Sequence, residues 1–255
     1  MTFFKSIAIA FSMFSKIPMP HLEWDKKSMR YMMCMFPLVG VVSGAAFFGW
    51  GMLSDILEIG APLRAALLLL IPVAITGGIH LDGFCDTIDA LSSHADRARK
   101  LEILKDSHAG AFAVIGVCTY LILYFALLCE LKPDVKSLLA LSVGFVLSRS
   151  LSGLAVASFP CAKDSGLVHT FADMSARKIA RAILFAELLV CCAVLCVFCG
   201  AAGAAAVLAA ALSFLWYWHM SQKQFGGITG DIAGWFVQIC ELMIAAFAVA
   251  VQFLI

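Results

Sequence analysis

Apolar residues in this chain come in long unbroken runs. They show neither the alternation of a half-buried strand nor the single stripe of a surface helix. A hydrocarbon core about 30 Å thick needs roughly 20 apolar residues per helix. Runs of that kind fall near residues 31–53, 61–79, 109–129, 137–158, 182–199, 200–218 and 233–255. They predict an all-α polytopic integral membrane protein with about seven transmembrane helices, read as one membrane-embedded domain over 1–255. Only Gly200 and Gly203 separate the fifth run from the sixth, which predicts a tight hairpin. The opening MTFFKSIAIAFSMFSKIPMP is apolar but is cut short by Lys5, Lys16, Pro18 and Pro20. No A-x-A site follows, so a short N-terminal interfacial helix is expected in preference to a cleaved signal peptide.

Composition strengthens this picture. Apolar residues make up 62 % of the 255 positions and charged residues 14 %, with a mean hydropathy of +0.96. A soluble domain carries roughly 45–50 % and about 25 %. Lysine plus arginine (18) nearly balance aspartate plus glutamate (17), which excludes a polybasic nucleic-acid binder and an acidic disordered chain. The ten cysteines sit mostly inside apolar runs and imply no disulfide framework. Cys196 and Cys199 have redox spacing but no neighbouring base, and read as membrane packing. Basic residues gather in segments 1–30, 80–108 and 159–181, against Arg64, Lys132 and Lys136 in the alternate connections. The excess of lysine and arginine places the N-terminus and these segments in the cytoplasm, and the C-terminus outside the inner membrane.

The most informative stretch is TGGIHLDGFCDTIDALSSHADRARKLEILKDSHAG, residues 76–110. Asp82, Asp86 and Asp89 fall at i, i+4 and i+7, on one face of a helix. Three carboxylates so close repel each other unless a cation neutralises them. Oxygen-only donors suit Mg²⁺, Mn²⁺ or Ca²⁺ rather than zinc. The plain alternative is a solvated acidic face outside the membrane. His80 is either a ligand or base, or a hydrogen-bonded residue at a span end. Asp96 to Lys105 form a mixed-charge amphipathic helix, and Lys105-Asp106-Ser107 reaches the third span, where a phosphate can be held.

Charges inside spans are costly and mark candidate sites. Arg149, in the fourth span, either binds phosphate bidentately or pairs with Glu187 or Glu241. In QFGGITGDIAGWFVQICE, residues 224–241, Gly226, Gly227, Gly230 and Gly234 permit close backbone approach to a ligand or a helix. Thr229 and Asp231 stand at the mouth of the last span, and Glu241 lies about three turns deeper. Small-residue packing with a capping aspartate accounts for the glycines but not for Glu241. Segment 159–178, with Lys163, Asp164 and His169, either clamps an anionic substrate or is only a connection.

At these motifs the chain resembles the cobalamin synthase family, the adenosylcobinamide-GDP ribazoletransferases. The resembling residues are TGGIHLDGFCDTIDAL at 76–91, KDSHAG at 105–110 and GGITGDIAG-x₆-E at 226–241, supported by the early SKIPMP and FPLVG. The resemblance runs over essentially the whole chain and keeps every acidic position. It departs at Phe84-Cys85, at Ala90 and at His108-Ala109. It implies a Mg²⁺-dependent enzyme (Mn²⁺ substituting) that joins adenosylcobinamide-GDP to α-ribazole or its 5′-phosphate and releases GMP. On that reading the ribazole 5′ oxygen attacks the cobinamide-bearing phosphorus. Asp82, Asp86 and Asp89 hold the metal, and Asp106 or Asp231 is the base. Lys105 and Arg149 hold phosphate, and His80, Lys163, Gly227, Thr229 and Glu241 complete the expected substrate contacts. The other expected partners are the lipid bilayer and a second copy or other corrinoid-pathway enzymes. Two rivals fit less well. A CDP-alcohol phosphatidyltransferase would need an arginine after the first aspartates, and a cation or corrinoid transporter would show an internal repeat.

Overall fold

A computed structural model describes residues 2–20, 25–106, 108–163, 166–174 and 176–254. Among these, the chain forms α1 (Thr2–Phe14), α2 (Lys26–Met29), α3 (Met32–Ile56), α4 (Ala61–Thr76), α5 (Ile79–Ser92) and α6 (Arg97–Ile103). It continues with α7 (Ala111–Glu130), α8 (Val135–Ser158), α9 (Leu167–Met174), α10 (Arg177–Met220) and α11 (Gly230–Gln252). A single π-turn, Ser221–Phe225, precedes α11, and one isolated bridge pairs Cys161 with Ile228.

Five helices are long and apolar enough to cross a membrane, or six when α4 and α5 count as one bent pair. The apolar runs therefore predicted the helices well, with ends shifted by a few residues. At 1.5 Å per residue the 44 residues of α10 would reach about 66 Å, twice the hydrocarbon core. The helix breaks at Gly200, whose φ of 58° and ψ of −127° lie outside helical space. A Cβ on Gly203 would collide with the Leu195 carbonyl, a contact that only a chain reversal allows. The hairpin expected from Gly200 and Gly203 is present. Bent by 95° from α4, α5 carries three aspartates.

The innermost helices are α8 and α11, while α7 and α10 are peripheral. Against α8 pack α3, α10 and α11. Outward faces carry exposed Ile115, Ile122, Leu189, Val197, Phe198 and Leu215, a surface suited to lipid. Inside, the two central helices share one charge pair. Arg149 Nη1 donates to Glu241 Oε1 at 2.7 Å, and the two residues are 1 % and 4 % exposed. Ser148 Oγ donates to the same oxygen at 3.2 Å, and Arg149 also donates to the Phe145 carbonyl at 2.9 Å. The guanidinium carbon stands 5.9 Å from the ring centres of both Phe36 and Phe145. Of the two sequence readings of Arg149, the geometry shows the pairing with Glu241.

Removing one member leaves a buried charge unpaired. Glu241→Ala is expected to cost about 3–5 kcal/mol, read as a fall in unfolding temperature of the purified protein. The double change Arg149→Met with Glu241→Leu should recover most of that loss.

Candidate functional site

The site begins with α5. His80, Gly83, Phe84, Thr87 and Ala90 are buried, while Asp82 is exposed and Asp86 and Asp89 are half-buried. This split follows from helical periodicity, which puts small and apolar residues on one side and carboxylates on another. Against the buried side lies the start of α11. A Cβ on Gly83 would come within 2.7 Å of the Asp231 carbonyl oxygen, and one on Gly234 within 3.2 Å of the His80 carbonyl oxygen. The two backbones touch through reciprocal glycines, and that contact brings Asp231 to the aspartates of α5. Asp89 rests on Gly110, the residue before α7.

Asp86 carries the mark of this crowding. Burial, followed by the negative charges of Asp82, Asp231 and Asp89, pushes the Asp86 carboxyl from 3.8 up to about 6. The donor set is oxygen only and its members repel, which fits a hard dication. Among the described residues no three His, Cys, Asp or Glu side chains are already gathered into a metal-holding group.

Thr229, not an aspartate, caps α11: its Oγ1 accepts from Ile232 N at 3.3 Å and donates to Asp231 Oδ2 at 3.3 Å. The Asp231 carboxylate thus stands at the helix mouth beside two cavities. One, of about 240 Å³, is lined by Lys105, Lys163, His169, Thr229, Gly230 and Asp231. Lys163 Nζ donates to the Leu101 carbonyl at 2.9 Å. Burial and the neighbouring Lys105 charge hold Lys163 below the ordinary lysine range. Two ammonium groups thus line this cavity beside the Asp231 carboxylate. The other cavity, about 200 Å³, lies between α1, α3, α5, α8, α9 and α11, with Asp82 and Asp231 in its lining.

The structure scatters the remaining expected residues. Asp106 lines neither cavity. Its Oδ1 accepts from the His108 backbone N–H at 3.0 Å, and His108 hydrogen bonds hold the carboxyl below its usual range. That is the opposite of what a general base needs. Gly227 packs on the backbone of 160–162, where a side chain would collide with the Pro160 carbonyl. Arg149 and Glu241 neutralise each other in the core. Ser107 and Asp164 lie outside the described residues. Reading 159–178 as a clamp or a bare connection missed α9, whose buried Val168 and Phe171 close the smaller cavity. Their i, i+3 spacing was the signal.

Fold and site together define an all-helical membrane protein with an acidic cluster and a lysine-lined cavity at one edge of its bundle. The profile of a family described as Cobalamin-5-phosphate synthase matches residues 6–249, and the chain belongs to that family. A protein from Lachnoclostridium phytofermentans, named adenosylcobinamide-GDP ribazoletransferase, is 43 % identical over 98 % of this chain and 95 % of its own. Relatives with the same name are 34 % identical in Clostridium botulinum strain Alaska E43 and in Pseudomonas syringae pv. syringae. The first covers 94 % of this chain and 95 % of its own, the second 82 % and 84 %. No solved structure matches.

A raised carboxyl pKa means that the folded state binds the Asp86 proton more tightly than the unfolded chain does. Stability is therefore gained as pH falls from about 6 towards 4 and is lacking above about 6. With divalent ions chelated at about pH 7.5, Asp86→Asn should unfold at a higher temperature than the wild type. That advantage should shrink as the pH falls through 6. Adding Mg²⁺ at the higher pH should stabilise the wild type and leave the variant nearly unmoved.

Proposed function

We propose that this chain transfers the adenosylcobinamide phosphate group from adenosylcobinamide-GDP to α-ribazole or its 5′-phosphate, releasing GMP. The observation that carries this reading is the meeting of an acidic cluster with a lysine-lined cavity at Asp231, in a chain whose near full-length relatives bear the ribazoletransferase name. Lys105 and Lys163 receive the diphosphate. Asp231, between the cavities, takes the proton of the attacking hydroxyl. The new P–O bond forms as the bond to the GMP oxygen breaks, and GMP leaves with the electron pair. The family's name speaks of a 5-phosphate in the product, so the 5′ oxygen is occupied when the phosphorylated ribazole is used. Another ribose hydroxyl is the nucleophile, which corrects the 5′ attack expected from sequence.

Asp82, Asp86 and Asp89 are the residues that would hold Mg²⁺ or Mn²⁺. Such an ion, once bound, neutralises diphosphate charge. Binding it requires the carboxylates to rotate towards one another, because they are not gathered beforehand. Asp231 is a better base than Asp106, which faces solvent against His108.

In the membrane, we read seven crossings, counting α4 alone and α10 as two halves, with α1 as an interfacial helix. The lysine and arginine bias puts the N-terminus and the site on the cytoplasmic side of the inner membrane.

Purified protein in lipid nanodiscs should convert adenosylcobinamide-GDP and α-ribazole to a cobalamin and GMP with Mg²⁺ present, and stop with chelator. Asp82→Asn and Asp86→Asn should each lower turnover at least about 100-fold. Unchanged turnover in both would remove the metal assignment. Release of CMP from a CDP-linked lipid in place of GMP would overturn the whole reading.

A further inference from the structure

The smaller cavity has a chemistry the transfer reaction does not by itself require. Phe14 of α1, Phe36 of α3, Val156 of α8, Phe171 of α9 and Val237 of α11 give it apolar walls. Its rings form a cluster. Phe14 and Phe36 have centroids 4.3 Å apart, and His80 lies 6.3 Å from Phe14 at an interplanar angle of 27°. His80 stands edge to face against Phe36 at 5.5 Å, and Phe14 against Phe171 at 6.4 Å. His80 is 5 % exposed, and its Nε2 is buried with no hydrogen-bond partner. An orphaned polar atom in an apolar wall costs free energy unless a ligand satisfies it.

Size narrows the occupant further. Sites for drug-sized molecules run from about 300 Å³ upwards. A cavity of about 200 Å³ takes one fused ring system and is far too small for a corrin. Both cavities include Gly230 and Asp231 in their linings, so a molecule seated in one reaches the other at the reacting end of α11.

Resting on the transferase reading above, we infer that this cavity is the seat of the acceptor nucleoside's base: a planar, apolar, fused aromatic ring with an unsubstituted ring nitrogen that pairs with His80 Nε2. The ring lies among Phe14, Phe36 and Phe171. The ribose points to the rim, where Asp231 faces its hydroxyl and the lysine cavity presents the diphosphate. His80 is then a specificity residue that touches the base and takes no part in proton transfer at the phosphorus. The arrangement also explains why α1 and α9 sit where they do, since they supply Phe14 and Phe171 as the cover.

The test compares benzimidazole riboside with indole riboside, which has the same shape but lacks the free ring nitrogen. Equilibrium binding to purified wild-type protein is measured without donor, and KM values are measured with it. Wild type should prefer the benzimidazole by about tenfold, and His80→Phe should erase the preference. Val156→Phe, which fills the cavity, should weaken nucleoside binding at least about tenfold. Neither change should move KM for adenosylcobinamide-GDP. No preference in the wild type, or variants that shift the donor's KM instead of the nucleoside's affinity, would overturn the inference. The transferase reading fails separately, if the wild type binds the nucleoside and yields no GMP. Should His80→Phe fail to fold, the wild-type preference and Val156→Phe decide the matter.

Discussion

Two glycines govern how close α5 comes to α11. Gly83 faces the backbone of Asp231, Gly234 faces that of His80, and no side chain larger than hydrogen fits at the first. Because the helices touch there, a carboxylate from the last span joins three from the bent helix at the end of the second. The same contact sets His80 on one side of Asp231, while the lysines of the 105 and 163 segments line the other. Move the two backbones apart by the width of a methyl group and the acidic cluster, the aromatic cavity and the lysine-lined cavity no longer share a corner.

The charges of this protein do two separate jobs, which their surroundings distinguish. Arg149 and Glu241 are almost wholly buried and meet at 2.7 Å, so each answers the other's desolvation and the pair fastens α8 to α11. Among the described residues the aspartates of α5 have no basic partner of that kind, and burial with crowding raises Asp86 instead. Repulsion left unrelieved at a bundle edge is what the proposed cation would relieve. A satisfied pair at the centre of the bundle is scaffold.

Much of this was legible in the residues. Apolar runs gave away the long helices because lipid leaves a crossing segment little freedom of composition. The acidic face of α5 followed from spacing alone, and the Gly200 hairpin from the only turn residues available. What stayed hidden depended on pairing between distant segments. Nothing local says that Arg149 chooses Glu241 over Glu187, that Asp231 meets Asp86, or that Thr229 takes the cap and frees the aspartate. The short α9 was lost in a polar stretch because eight residues give a weak periodic signal, although Val168 and Phe171 carried it. Asp106 shows how a surface contact goes unread in sequence. It has the right type and a suggestive motif, but its neighbour His108 occupies it at the surface.

Whether the glycine contact assembles a cation site is measured by Mn²⁺ binding, without needing turnover. Electron paramagnetic resonance of Mn²⁺ titrated into nanodisc-held protein should show one tightly held ion per wild-type chain. Gly83→Val, with helix content unchanged, should hold it at least about tenfold more weakly. Equal Mn²⁺ affinity in the two proteins, or none in the wild type even with adenosylcobinamide-GDP present, would contradict the account.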